Sequence, residues 1–336
     1  MTHSITAWTH SRGGYPTALQ LTKIPLSTTP LHPTEILVRV KAAALNPVDI
    51  QLLSFPLLPY VPNAIIPSHK GMGEDFSGIV EQAGSDSAFN PGDEVFGLIF
   101  LLPHGSLQEV MRIDTAGTNA VVRKPAEWNW EQAAAVPLVW LTARTMIDKI
   151  ESYVPSQGGK VAVLGGSSST GMYAVHLAKQ RGYNVVATCS AAKEDFVRSM
   201  GADETIDYQK ENVPEKLRSF APDAVLDCVG GTESIGIAKR YVTVVGDKTN
   251  RLALGGSLTY LTHPRMILRS LLGMIGLAPS YICINLSFQR EWLEEVVRLP
   301  REKIVIDSTF KFDQVREAYE RLNTGRTMGK VVVRVE

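Results

Sequence analysis

A doubly wound parallel α/β sheet joined to a second, β-rich domain is the fold class this sequence predicts, and three observations carry it. Between residues 160 and 245, short apolar runs alternate with segments of helical period, as when strands buried on both faces are joined by crossing helices. Residues 5–125 instead show short strands separated by Pro and Gly turns, which suits a small barrel or sandwich. The length, 336 residues, asks for two domains at about 100–200 residues each.

The β-rich part is clearest at 35–42 (EILVRVKA), where apolar and polar residues alternate as in a half-buried strand. Residues 77–83 (SGIVEQA), a turn at 90–93 (NPGD) and 94–98 (EVFGL) follow, and 107–113 (LQEVMRI) closes the set. Near Trp128 the texture changes, and 128–150 reads as helix-rich, with Ala133–Ala135 and then LTARTMIDKI. KVAVLG, from 160, is too short for a helix and reads as a buried strand, with a helix after it over 171–181 (GMYAVHLAKQR). Strand 184–189, helix 193–200 and strands 204–207, 223–227 and 241–245 continue the alternation. The tail reads strand 304–312, helix 314–322 and strand 330–335, and is expected to return to the first domain. The expected division is therefore 1–125 with 289–336 for the β-rich domain and 126–288 for the parallel one.

Composition excludes several classes. Lys+Arg and Asp+Glu both total 34, so the basic surplus that phosphate-gripping proteins carry is missing, and no nucleic-acid partner is expected. Three cysteines, at 189, 228 and 283, share no CxxC spacing. They make neither a disulfide framework nor a four-thiolate zinc site, so a reducing, cytoplasmic setting is expected. The first residues hold no apolar run of the secretory kind. Residues 270–288 carry no formal charge, but Pro279, Ser280, Asn285 and Ser287 interrupt them and Gly273 and Gly276 weaken a helix. A buried strand with a short apolar lead-in is expected there, and no transmembrane span.

The chemistry concentrates at 161–171, VAVLGGSSSTG. A buried strand runs into a small-residue turn and then a helix expected to start near Gly171. Such a turn gathers backbone N–H groups and a helix N-terminus where a pyrophosphate sits. The run is Gly165, Gly166, Ser167, Ser168, Ser169, Thr170, Gly171, with Ser169 where a middle glycine is usual. A Gly/Ser turn alone is often only a turn; its place between a strand and a helix, with more such units after it, makes it a dinucleotide candidate. The end of the second strand names the cofactor. NAD sites usually offer Asp or Glu there, whereas residues 187–193 read ATCSAAK, with Ser190 and Lys193 and no carboxylate. A hydroxyl and an ammonium suit a 2′-phosphate, so NADPH is expected; the plainer reading of Lys193 is a solvated lysine.

With these residues in view, the sequence resembles the zinc-free branch of the medium-chain dehydrogenase/reductases, the quinone oxidoreductase or zeta-crystallin-like family. Carrying the resemblance are ALNPVD (44–49), GEDFSGIV (73–80), NPGDEVFG (90–97), AAAVPLVWLTA (133–143), MGADETIDY (200–208), DAVLDCVGG (223–231) and GRTMGKVV (325–332). Several pieces look most similar to fungal members. The resemblance implies a GroES-like catalytic domain with a Rossmann NADPH-binding domain inserted in it. It also implies that Lys193 and Tyr208 contact the adenosine phosphate, that Asn46 and Thr142 lie near the nicotinamide, and that Gly230 and Gly246 pass under the cofactor. Members are commonly homodimers. Zinc alcohol dehydrogenases of the same superfamily carry Cys at the position of Asn46 and Gly-His-Glu at 73–75, where this chain has Gly-Glu-Asp. With His69 read as a lone loop histidine, no metal is expected.

Without a Lewis acid, hydride transfer from NADPH to an already electrophilic acceptor, a quinone or an α,β-unsaturated carbonyl, is the expected reaction. The acceptor is expected to be lipophilic, given the apolar stretch 258–288. Asn46 is expected to orient ribose or acceptor, with Thr142 in support. Bacterial quinone reductases carry tyrosines shortly after the ALNxxD motif. This chain has Gln51 and Leu57 there, and Tyr60 is the candidate proton donor beside the plainer reading of a loop tyrosine. Two other readings stay open: a trans-acting enoyl reductase of a polyketide-type pathway, and a non-catalytic NADPH-binding targeting or structural protein.

Overall fold

The computed structural model describes residues 4–11, 15–53, 70–99, 105–117, 119–248, 250 and 255–336. Two compact units are present, one from residues 1–138 with 288–336, the other from 139–287. The division lies later than the expected 125/126. Helix α2 (Trp130–Ala134) packs on strands of the β-rich sheet and so belongs to that unit.

In the β-rich unit, strands β1 (Ser4–His10), β2 (Leu19–Pro25) and β4 (Lys70–Gly71) form a small sheet ordered β2-β1-β4. The first two form a hairpin the sequence reading did not pick out. The main sheet uses β3 (Glu35–Ala44), β5 (Asp75–Ala83), β6 (Glu94–Leu98), β7 (Val110–Asp114), β8 (Ala120–Arg123), β15 (Ile306–Lys311) and β16 (Lys330–Arg334). Its order is β15-β16-β3-β5-β6-β8, with β7 on β3. The tail returns as expected, and the last strand lies between β15 and β3. Helix α1 (Pro47–Leu53) follows β3, while α8 (Arg290–Glu295) and α9 (Val315–Asn323) belong to the tail. Phe76, Ile36, Val331 and Tyr319, all fully buried, share one core, and each such side chain contributes about 1.5–3 kcal/mol of burial.

In the second unit, β9 (Lys160–Leu164), β10 (Asn184–Cys189), β11 (Glu204–Asp207), β12 (Ala224–Asp227), β13 (Arg240–Thr243) and β14 (Ser280–Cys283) form one sheet. Its order is β11-β10-β9-β12-β13-β14 and all its pairings are parallel. This is the 3-2-1-4-5-6 order of dinucleotide-binding sheets, whose direction reverses beside β9, where a ligand crevice opens. Helices α4 (Ser169–Gln180), α5 (Glu194–Met200) and α6 (Val213–Phe220) cross between strands.

Three expectations need refinement or correction. The helix-rich stretch expected over 128–150 is divided into two helices, α2 and α3 (Pro137–Asp148), because Pro137 cannot continue the first yet suits the opening of the second. Helix α4 begins at Ser169 rather than Gly171, since the Ser168 side chain caps it. The apolar lead-in before 280 is a helix, α7 (Pro264–Met274), entered through Pro264. Ile267, Leu268, Leu271 and Met274 on it are all exposed, so that face is not the buried lead-in expected. Among the described residues, no helix is long and apolar enough to cross a membrane.

Candidate active-site and cofactor residues

In the β-rich unit, three strand ends bring together residues distant in sequence. Antiparallel pairing sets Ala44 of β3 opposite both Asp75 of β5 and Val332 of β16. The chain leaving β3 places Asn46 beside α1, and the N-terminal ends of β5 and β16 supply Asp75 and Lys330. Helix α1 has Pro47 at its first position, and the Asp49 carboxylate reaches back to accept the Asn46 backbone N–H at 2.8 Å, as in half of a capping box. The ALNPVD motif is thus a strand end and a helix start that fix where Asn46 points.

The side chains form a closed network. Lys330 Nζ donates to Asn46 Oδ1 at 2.5 Å and to Asp75 Oδ2 at 2.8 Å. Asn46 Nδ2 donates to the same Asp75 oxygen at 3.0 Å, and the Leu138 N–H donates to Asp75 Oδ1 at 2.8 Å. Tyr319 Oη donates to Asp49 Oδ2 at 3.1 Å. Asn46, Asp75 and Lys330 are 1%, 0% and 2% exposed, so the ion pair is a buried one. Burial pushes the Asp49 carboxyl up to about 7, against the lowering pull of the Asn46 N–H and the Lys330 charge. Burial likewise raises the Tyr319 phenol, and the Asp49 charge adds to it. Asp75, Lys330 and Tyr319 had not been singled out in the sequence. GRTMGKVV contains Lys330, but nothing in it tells which strand end the lysine meets.

The nucleotide unit builds its site from backbone. Gly165 has φ +80°, and its N–H donates to Thr188 Oγ1 at 2.8 Å. The Gly166 N–H donates to the Thr188 carbonyl at 2.8 Å and that of Ser168 to the Gly165 carbonyl at 2.9 Å. Ser168 Oγ caps the helix by accepting from the Gly171 N–H at 3.0 Å. A Cβ at Gly171 would meet the Gly165 carbonyl oxygen at 2.1 Å, so the helix packs this close only with glycine there. Among the described residues, the N–H groups of Ser167 and Thr170 have no partner. With the start of α4 they form a cradle that fits a pyrophosphate. Thr188, 5% exposed, was also not singled out; in ATCSAAK it reads only as a strand residue.

Beyond β10, Ser190 precedes a 3-10 turn, Ala191–Lys193, and both Ser190 and Lys193 are partly exposed. Glu194, the first carboxylate after the strand, accepts hydrogen bonds from Arg198 and Thr205. Tyr208 follows β11 and is exposed. Gly230 and Gly246 both have positive φ and are held by side chains at strand ends. Asp227 Oδ1 accepts from the Gly230 N–H at 2.9 Å, and Thr243 Oγ1 from the Gly246 N–H at 3.0 Å. Burial raises the Asp227 carboxyl. Thr142 lies on α3 within this unit and is buried. Tyr60 and His69 lie outside the described residues.

The family described as alcohol dehydrogenase GroES-like domain matches residues 32–125, and that described as zinc-binding dehydrogenase matches 200–333. The mouse mitochondrial NAD(P)H oxidoreductase RTN4IP1 is 30% identical across 98% of this chain and 89% of its own length. The chain belongs to the medium-chain dehydrogenase/reductase superfamily. Within that superfamily it is also similar to an Arabidopsis thaliana chloroplast envelope quinone oxidoreductase homolog, 28% identical over 96% of each chain. The solved quinone oxidoreductase from Coxiella burnetii superposes with a TM-score of 0.78 at 27% identity, over 99% of this chain and 100% of that one. As a medium-chain dehydrogenase/reductase the protein is an oxidoreductase using a nicotinamide cofactor, and the turn at 165–171 fits one. The second family description names zinc. The Asn46 carboxamide stands where zinc members carry a thiolate, and Asp75 and an ammonium already engage it. Among the described residues, no three His, Cys, Asp or Glu side chains are grouped as a metal requires.

Proposed function

We propose that this medium-chain dehydrogenase/reductase is an NADPH-dependent, zinc-independent reductase of quinones or α,β-unsaturated carbonyls. The observation that carries the cofactor choice is the end of β10. Ser190 and Lys193 stand there, and the next carboxylate in sequence, Glu194, is spent on Arg198 and Thr205. A phosphate meets an ammonium and a hydroxyl, and the end of β10 itself, residues 187–193, offers the ribose hydroxyls of NADH no carboxylate. Tyr208, at the next strand end, offers a ring and a hydroxyl to the same group.

Reduced nicotinamide, when bound, supplies a hydride. The chain's part is to hold and orient. Ser167 and Thr170 N–H groups take the pyrophosphate, Gly230 and Gly246 leave room beneath the cofactor, and Asn46 and Thr142 orient the ribose or acceptor. Two electrons and one proton arrive as hydride, and water supplies the second proton to a hydroquinone. An acceptor that delocalises the negative charge needs no metal beside its oxygen, which is why quinones and enones are favoured over alcohols. The open outer edge of β14 supports pairing between two copies, a homodimer. Three free cysteines support a reducing compartment, which we take to be the cytoplasm.

The test follows NADPH consumption against 9,10-phenanthrenequinone, a benzoquinone, a 2-alkenal and an enoyl thioester, with NADH as the control. Quinone-dependent oxidation with NADH at least about tenfold weaker is the expected result. Activity confined to the thioester moves the assignment to an enoyl reductase. Tight NADPH binding without any turnover leaves a binding protein.

A further inference from the structure

We propose that Lys330 is a positioning residue for the active site, holding the Asn46 carboxamide in one orientation through a buried ammonium delivered by the final strand. The proposal rests on the reading that Asn46 faces cofactor or acceptor. A primary amide has two orientations that differ only in exchanging its oxygen and nitrogen. Here the oxygen meets the Lys330 ammonium at 2.5 Å and the nitrogen meets the Asp75 carboxylate at 3.0 Å. Turning the amide over would set an NH2 against the ammonium and a carbonyl oxygen against the carboxylate, two repulsions in place of two charge-assisted bonds. With Lys330 and Asp75 buried, water does not screen that difference.

The orientation is anchored at both ends. Asp75 is fixed by its strand and by the Leu138 N–H on its second oxygen. Lys330 is fixed by β16, whose neighbour Val331 accepts the Leu45 N–H through its carbonyl at 2.9 Å. Asn46 is left with one amide N–H and one oxygen lone pair to present to a ligand. Removing only the lysine leaves a buried carboxylate without its cation and an amide held on its nitrogen side alone.

The test compares Lys330→Met, Lys330→Arg, Asn46→Ala and the double variant Lys330→Met/Asn46→Ala. Two readouts are used: steady-state kinetics, and the side-chain amide signals of the 15N-labelled protein without cofactor. The signal missing in Asn46→Ala identifies the Asn46 amide. In Lys330→Met that signal is expected to move and exchange faster with water, kcat to fall about thirtyfold, and NADPH affinity to stay within about twofold. Lys330→Arg recovers most of both. The double variant should be no slower than Asn46→Ala alone, because both act through one group. Two results overturn the proposal: an unmoved amide signal in Lys330→Met, or losses that multiply in the double variant. If Lys330→Met does not fold, Asp75→Asn/Lys330→Met, which removes both charges, carries the same amide measurement, and an unmoved signal there overturns the proposal equally. If Asn46→Ala leaves kcat unchanged, the role given to Asn46 fails, while the amide signal still decides what Lys330 does to it.

Discussion

The turn at 165–171 and the Asn46 network both fix polar groups in place, with opposite materials. The turn uses backbone N–H groups aimed by glycines and by two hydroxyls, Thr188 and Ser168. The network uses charged side chains, fully buried and paired. A backbone site depends on close approach, so added bulk is its weakness. A side-chain site depends on charge balance, so loss of one partner is its weakness.

The sharpest break falls on the turn. Gly171→Val drives a side chain into the Gly165 carbonyl, and NADPH binding followed by cofactor fluorescence should weaken at least a hundredfold, roughly 2.7 kcal/mol. Serine in place of that glycine should do nearly as badly, since the 2.1 Å clash belongs to the Cβ. Next comes Lys193→Glu, which sets a carboxylate where a 2′-phosphate is expected. The ratio of kcat/KM for NADPH over NADH should fall about thirtyfold, and an unchanged ratio would remove Lys193 from the cofactor site. Thr188→Val keeps the shape of the turn and removes one hydrogen bond. NADPH should bind about fivefold more weakly, near 1 kcal/mol, with Thr188→Ser restoring it.

The smallest effect sharpens the other side of the comparison. Folding raises the Asp49 carboxyl to about 7. Its contribution is therefore fully present below the usual carboxylate range, near pH 4, and is lost as pH rises through about 7. Asp49→Asn cannot ionise but still offers an oxygen to Asn46 and Tyr319. The variant should gain on the native protein between pH 5 and pH 8 by about 3 °C in Tm; parallel pH curves would mean that Asp49 does not titrate there.

This contrast also explains what the sequence made legible. Gly165 to Gly171 form one contiguous run between a strand and a helix, so the turn they make could be read in a single pass. Ser190 and Lys193 follow a strand whose end was already located. The network joins Asn46, Asp75 and Lys330, separated by up to 284 positions, and only strand pairing reveals that they meet. A lysine before an apolar strand looks like an ordinary solvated charge. The start of the uncharged run misled in the opposite sense: 270–288 reads as an apolar lead-in and a buried strand, whereas Leu271 and Met274 lie on the surface of α7. Hydrophobicity alone does not say which side of a helix has a neighbour.

The position of β16 has a further consequence for synthesis on the ribosome. All six strands of the nucleotide sheet lie within residues 160–283, whereas β15 and β16 of the other sheet are still unmade when that stretch emerges. Until β16 arrives, the Ala42–Ala44 end of β3 has β5 on one side only, and β16 carries the cation that meets Asn46 among the described residues. A chain ending before β16 thus has every strand of the parallel sheet, while its Asn46 keeps Asp49 and Asp75 and lacks Lys330.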